Sequence, residues 1–307
     1  MARQTFGLSP SLSLVIACAF WAAGTVISKE LLGSVPPVLF LIMQLFPSVA
    51  ILWLVTWSKN ISLPKGRTLL VVLALGLLNP GVSYTLSMLG LVHTTASVAT
   101  LMWAAEPALI IALAWIVLRE NVSASMIGLT GTAVIGVYLA SDIAAQGFSL
   151  EGQAYGAALI LLGVLCCAIY TVVSRDIAAS TNPMAIVALQ QTVGLAWAVS
   201  IWPFEWETSA AAELLQLSVT ELIGGLISGL MYYSLAFWFY LNGLRSMTAS
   251  RAGNFFNLIP VFGITLAYLF LGERLTAMQG LGAATILVSV LSLQLLATNM
   301  ARKQVAT

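Results

Sequence analysis

Charged side chains are scarce: Asp, Glu, Lys and Arg make up 7% of the 307 residues, against roughly a quarter in soluble domains. A chain that is 60% hydrophobic cannot clothe a globule of this size in a water-facing surface, which excludes an ordinary soluble domain. Basic charge is also lacking. Twelve Lys and Arg against eleven Asp and Glu leave a net charge of +1, so no electrostatic field suits nucleic acid. Histidine occurs once, at His93. That excludes an H-E-x-x-H zinc site and leaves no Ser–His arrangement at depth, so neither catalytic nor metal-ligating residues are assigned. The three cysteines, Cys18, Cys166 and Cys167, all sit in apolar runs and read as packing residues rather than disulfide partners. No G-x-x-x-x-G-K-[ST] phosphate loop is present, so direct ATP drive and nucleotide cofactors find no support.

Long apolar runs are what the chain has. A spanning helix needs about 20 mostly apolar residues. Ten runs qualify, at roughly 11–32, 37–57, 67–91, 95–118, 123–142, 153–174, 183–203, 218–243, 249–271 and 277–297. The first continues past Cys18 to Leu32, so it reads as a span rather than a removed leader. The expected fold is an all-α polytopic membrane protein of ten transmembrane helices.

An internal repeat organises these runs. Thr25-Val26-Ile27-Ser28-Lys29-Glu30 recurs as Thr171-Val172-Val173-Ser174-Arg175-Asp176, an offset of 146, and Pro37 and Gln44 recur as Pro183 and Gln190. Further on the offset is 153: Gly76 recurs as Gly229, Gly90 as Gly243, Thr95-Ala96-Ser97 as Thr248-Ala249-Ser250, Pro107 as Pro260 and Glu120 as Glu273. The chain therefore divides into a first five-helix repeat, 1–147, and a second, 148–307. Five is odd, so the second repeat enters the membrane inverted. Charge fits this layout. With the N-terminus inside, ten of the Lys and Arg fall on the inner side and only Lys29 and Arg274 on the outer, which puts both termini in the cytoplasm. Trp53, Trp57 and Trp115 near inner ends, and Trp202 and Trp206 near an outer end, read as interfacial anchors.

Inverted halves with a solute site near the midplane are the usual construction of a secondary transporter. Such a site calls for broken or kinked helices. The candidates are Phe46-Pro47, Asn79-Pro80-Gly81, Glu106-Pro107 and Ile259-Pro260. Glu106 is the one acid deep inside a run, and a midplane charge costs several kcal/mol, which marks it for cavity shape or proton coupling. Trp21, Tyr84 and Trp103 in the first half, with Tyr233 and Trp238 in the second, supply aromatic surface at mid-depth. Gln44, Asn79, Gln190, Asn254 and Asn257 supply amides. Buried amides need partners, and these are either neighbouring helices or solute. These eleven residues are the candidate substrate-binding set. They describe a cavity for small amphipathic or zwitterionic solutes. Gly128, Thr132 and Gly136, with Gly280 and Ala284, form small-residue faces that read as packing surfaces.

The run Leu271-Gly272-Glu273-Arg274-Leu275-Thr276 followed by Gln279-Gly280, its first-half copy Leu118-Arg119-Glu120-Asn121-Val122-Ser123, and the stretch Ala252 to Pro260 resemble the EamA-type drug/metabolite transporter superfamily. Met102-Trp103-Ala104-Ala105-Glu106-Pro107 and the overall run look closest to its bacterial aromatic amino acid exporter branch. The resemblance implies export of aromatic or other neutral amino acids across the bacterial inner membrane. It also implies a central cavity formed by the first four and the sixth to ninth segments, with the fifth and tenth peripheral. The implied partners are an amino acid and the lipid bilayer. Coupling stays open between uniport and proton antiport. Another small metabolite or drug, or a channel-like facilitator, are the alternatives.

Overall fold

The computed structural model describes residues 9–118, 123–141, 152–208, 217–244 and 254–306. Among these every regular element is helical. The first part comprises α1 (Pro10–Leu31), α2 (Pro37–Ser58), α3 (Gly66–Gly76), a π-helical turn (Leu77–Val82), α4 (Ser83–His93), α5 (Ala96–Trp103), α6 (Glu106–Leu118) and α7 (Ala124–Ala140). After it come α8 (Gln153–Ser180), α9 (Pro183–Thr208), α10 (Val219–Gly229), a second π-helical turn (Leu230–Leu235) and α11 (Ala236–Leu244). A 3₁₀ turn (Asn254–Asn257), α12 (Leu258–Leu266), a third π-helical turn (Ala267–Leu271) and α13 (Ala277–Ala306) complete the chain.

Among the described residues six helical stretches are long and apolar enough to cross a membrane: Pro10–Leu31, Pro37–Ser58, Gly66–His93, Gln153–Val173, Pro183–Glu205 and Val219–Tyr240. Four shorter apolar helices, Ala96–Ile110, Ala124–Ala140, Phe255–Leu271 and Ala277–Leu293, accompany them. Their ends are set by ordinary helix chemistry. Pro10 and Pro37 open their helices, where a missing N–H costs nothing. The side chains of Ser9, Thr95 and Ser123 cap the first turns of α1, α5 and α7, and Ser218 and Glu221 form a capping box on α10. Gly272, at φ +67°, ends the third π turn in the left-handed conformation.

Of the four proline sites, Asn79-Pro80 interrupts its span most. Asn79 takes non-helical angles (φ −143°, ψ 115°) inside the first π turn, and the Asn79–Pro80 bond is cis. Glu106-Pro107 follows a two-residue break that separates α5 from α6. Pro260 lies in the first turn of α12, beyond the 3₁₀ turn. Pro47 is absorbed within α2, which runs on unbroken to Ser58.

In the bundle, α2 lies along α9, α4 along α8, and α1 against α11 and α12, while α7 and α13 pair with each other. Three charged side chains tie helix ends together at the end of the bundle remote from Pro10. Glu205 of α9 accepts from the backbone N–H groups of Val38 (2.8 Å) and Leu39 (2.9 Å) in the first turn of α2. Glu273 does the same for Ala96 (2.8 Å) and Ser97 (2.9 Å) at the start of α5, and also accepts from Ser97 Oγ (2.7 Å). Lys29 Nζ donates to the carbonyls of Leu91 (2.9 Å) and Val92 (3.2 Å) at the end of α4. Free helix termini carry orphan N–H and C=O groups, and these charged groups satisfy them across helices. Trp53 donates from Nε1 to Thr192 Oγ1 (2.8 Å), and Trp57 is largely exposed. The side chains of Trp115 and Trp206, and the motif residues Arg119, Glu120 and Thr248 to Ser250, lie outside the described residues.

Candidate functional site

The first and second π turns and the helix breaks before Glu106 and Pro260 converge on one pocket of about 190 Å³. Trp21 and Thr25 enter it from α1, Asn79 from the first π turn, Tyr84 from α4, Thr100 and Trp103 from α5, and Glu106 from the start of α6. On the other side stand Cys167 and Tyr170 of α8, Tyr232 of the second π turn, Phe237 and Tyr240 of α11, and Phe256, Asn257 and Ile259 around the 3₁₀ turn. Among the described residues none of α7 or α13 lines it.

The break after Trp103 is what delivers Glu106. Its Oε1 accepts from Cys167 Sγ (3.3 Å) and Thr171 Oγ1 (3.5 Å), which lie one turn apart on α8. Asn79 Nδ2 donates in turn to Cys167 Sγ (3.3 Å). The non-helical backbone at Asn79 thus aims an amide at a thiol that is itself bonded to the carboxyl. Asn79 Oδ1 is buried with no hydrogen-bond partner among the described residues.

Two aromatic groups form the walls. Trp21 lies against Phe237, Tyr240 and Phe256 at centroid distances of 5.5, 5.8 and 5.6 Å. Tyr84 lies against Trp103 and Tyr232 at 5.9 and 6.0 Å. Gly24 lets Tyr232 approach α1, because a methyl group there would sit 2.7 Å from Tyr232 Cδ2.

Of the residues that the sequence proposed for the site, Trp21, Asn79, Tyr84, Trp103, Glu106 and Asn257 line this pocket together. Four others are placed elsewhere. Gln44 is fully buried and donates from Nε2 to Ser28 Oγ (2.9 Å) and Ser228 Oγ (2.8 Å). Gln190 is buried behind the pocket, accepting from Tyr170 OH (2.9 Å). Tyr233 lies beneath the wall, its ring 5.3 Å from Tyr84 and 4.8 Å from Tyr232. Trp238 faces a separate apolar crevice of about 420 Å³ between α2, α9 and α11. The side chain of Asn254 is outside the described residues. Thr25, Thr100, Tyr170, Phe237, Tyr240 and Phe256 were not among the sequence candidates, and Cys167, expected to be a packing residue, lines the pocket and bonds to Glu106. Helical spacing carried a signal for some: Cys167, Tyr170 and Thr171 share a face, as do Phe237 and Tyr240.

Comparison with known proteins now bears on this architecture. The family model described as the EamA-like transporter family matches residues 8–142 and again 154–294. An uncharacterized transporter, YvbV, of Bacillus subtilis (strain 168) is 25% identical over 292 residues, covering 91% of this chain and 90% of that protein. An uncharacterized transporter of Archaeoglobus fulgidus is 26% identical over 231 residues, covering 74% and 78% respectively. A WAT1-related chloroplastic protein, At3g02690, of Arabidopsis thaliana is 23% identical over 276 residues, covering 88% and 66%. A solved crystal structure shares the fold at a TM-score of 0.65 and 16% identity, covering 95% of this chain and 98% of the other. The two family matches take in the apolar helices found among the described residues, Gln153 apart, and this multi-pass membrane protein belongs to the EamA-like transporter family.

Proposed function

We propose that the protein is a secondary transporter that exports small neutral solutes bearing an amino group and an apolar or aromatic body, amino acids in the reading that the sequence resemblance suggests. It works by alternating access at the central pocket. The observation that carries this reading is the pocket itself: the carboxyl of Glu106 and the amide of Asn79, set at helix breaks between two aromatic walls. Polar groups held at broken helices near mid-span are the expected form of a carrier site.

The layout proposed with it is two five-helix repeats, 1–147 and 148–307, inverted in the bacterial inner membrane with both termini cytoplasmic. Support comes from local structure. The first and second π turns, Leu77–Val82 and Leu230–Leu235, fall at the repeat offset of 153, as do the helices that precede them, Gly66–Gly76 and Val219–Gly229. The excess of Lys and Arg on one side supports the orientation.

The test is counterflow. Purified protein in liposomes loaded with unlabelled solute is offered radiolabelled phenylalanine, tryptophan, methionine or threonine, with and without a pH gradient. Saturable uptake against the trapped solute is expected. A flux that does not saturate would point to a channel-like facilitator. No uptake by folded protein would redirect the search to other metabolites and drugs.

A further inference from the structure

The apolar crevice between α2, α9 and α11 is larger than the central pocket, at about 420 Å³ against 190 Å³. Ser234 brings the one hydroxyl among its described lining residues, and that hydroxyl is already engaged, donating to Ser48 Oγ (2.9 Å). Two rim residues, Ile51 and Leu235, are each 40% exposed. Both belong to stretches long and apolar enough to cross a membrane, so the crevice opens onto hydrocarbon. Such a space suits an apolar chain and gives no foothold to an ammonium or carboxylate group.

Depth follows from α2. Ile51, Val55 and Lys59 succeed one another at four-residue steps, on one face of the helix, so the crevice runs toward the helix end that carries Lys59. Trp57, 69% exposed, stands at the same end with its ring 5.5 Å from that of Trp53, and exposed tryptophan marks the level of lipid headgroups. The segment from Lys59 to Arg67 holds three exposed cations, Lys59, Lys65 and Arg67, and no acid. It leads into α3, which packs Leu69 and Leu73 against Ile186 and Leu189 of α9, the helix that brings Met184 and Val187 to the crevice. Cations at headgroup level above an apolar slot are the chemistry that receives an anionic phospholipid.

We infer that the crevice is a phospholipid site: one acyl chain lies in it, and the anionic headgroup sits at Lys59. The consequence reaches the pocket through Phe237, which lines both spaces. On its pocket side the Phe237 ring meets Trp21 edge-on, at 5.5 Å and 88°. A chain on the crevice side fills the space into which that ring would withdraw, and so holds the wall against Trp21. Occupancy by lipid therefore favours solute binding. That second step rests on the reading of the pocket as the transport site; the lipid site itself does not.

The experiment places the full-length protein in nanodiscs with phosphatidylglycerol that carries a diazirine on its acyl chain, and maps the photolabelled residues. Label is expected on residues 51–55 and 235–239, in excess over exposed residues of α13 such as Leu281 and Leu295. Unlabelled phosphatidylglycerol should displace it about fivefold more effectively than phosphatidylcholine, the factor for one cation at the headgroup. Lys59→Gln changes an exposed side chain and should erase that factor. Val187→Phe fills the crevice and should remove the label there while leaving that on α13. Label spread evenly over the lipid-facing surface, or a displacement ratio unchanged in Lys59→Gln, would overturn the site. Crevice label from a diazirine-bearing phenylalanine, displaced by free amino acid and not by phospholipid, would overturn it in favour of solute. In liposomes, phosphatidylglycerol should lower the solute KM about threefold relative to phosphatidylcholine, as expected for one aromatic contact held or lost, and should make no difference in Val187→Phe. Equal KM values in wild type would overturn the brace at Phe237. Absence of uptake in every lipid would overturn the brace and the transporter reading together, with the labelled site left standing.

Discussion

Gly229 brings α10 down onto the backbone of Gln44 in α2: a methyl group at Gly229 would lie 2.5 Å from Gln44 Cα. A contact of the same kind occurs a second time, between Gly76 and Gln190. A methyl group at Gly76 would lie 2.8 Å from Gln190 Cα, and Gly229 and Gln190 stand at the sequence offsets of 153 and 146 from Gly76 and Gln44. Farther along the same helices, Gly90 packs on Gly156 and Ile160, while Gly243 packs on Pro10 and Leu14. Thus α10 lies against α2, and α3 against α9. Small residues matter here because lipid offers no hydrophobic drive between helices, so close backbone approach supplies the packing energy.

The glycine contacts lead to a stability contrast. Gly229→Ala forces its methyl into backbone that cannot rotate away, and overpacking of this kind costs roughly 1–3 kcal/mol. Gly128→Ala on α7 meets nothing within 4 Å, and the gain in helix propensity is up to about 1 kcal/mol. Thermal unfolding in detergent should show Gly229→Ala melting below wild type and Gly128→Ala at or above it. Equal melting temperatures would mean that α10 sits farther from α2 than described.

Gln44 is a strut between helices. Its amide joins Ser28 of α1 to Ser228 of α10, and intramembrane hydrogen bonds of this kind contribute about 0.6–2 kcal/mol. Gln44→Leu should lower the melting temperature, while the folded fraction keeps the solute KM of wild type within about threefold, a difference under 1 kcal/mol. A large KM change at unaltered stability would put Gln44 at the solute instead.

Glu273 carries a third expectation. Its carboxylate satisfies two orphan N–H groups of α5 and the hydroxyl of Ser97. Removing a capping acceptor costs about 0.5–2 kcal/mol. Glu273→Ala should therefore destabilise the protein, and Glu273→Gln, which keeps one acceptor oxygen, should do so less. Melting curves of the two variants check the order, and equal losses would show that the charge rather than the acceptor geometry matters.

The membrane character and the helix interruptions at Asn79 and Glu106 were legible because they rest on composition and on proline, both local properties. Rotation about each helix axis was not. Neighbours in an α-helix differ by about 100° in direction, and a π turn shifts the phase again. Tyr232 and Tyr233 show the consequence: one lines the pocket and the other is buried behind it. Phe237 and Trp238 part in the same way, Phe237 bordering the pocket and Trp238 only the crevice beside α2. The glutamines lie outside the pocket for another reason. A buried amide at mid-depth looks the same in sequence whether it serves a solute or ties two helices together, and only the positions of Ser28, Ser228 and Tyr170 separate the cases.

Trp103 and Tyr84 test the walls themselves. The two rings pack against each other at 5.9 Å and both border the pocket, but they differ in burial: Tyr84 is 8% exposed, within the core, whereas Trp103 is half-buried at its edge. Trp103→Ala should therefore enlarge the space for solute more than it loosens the bundle. Large aromatic solutes lose a contact of about 0.5–1.5 kcal/mol beyond simple area burial, so their KM should rise several-fold relative to that of small neutral solutes. Equal loss for every solute, together with poor expression, would assign Trp103 to packing instead. Tyr84→Phe removes one hydroxyl and keeps the ring against Trp103, Tyr232 and Tyr233. If the ring's contact is what counts, transport changes less than about threefold, under 1 kcal/mol. A loss of tenfold or more at unchanged melting temperature would show that the hydroxyl binds solute, since a hydrogen bond to a charged group contributes about 1.5–3 kcal/mol.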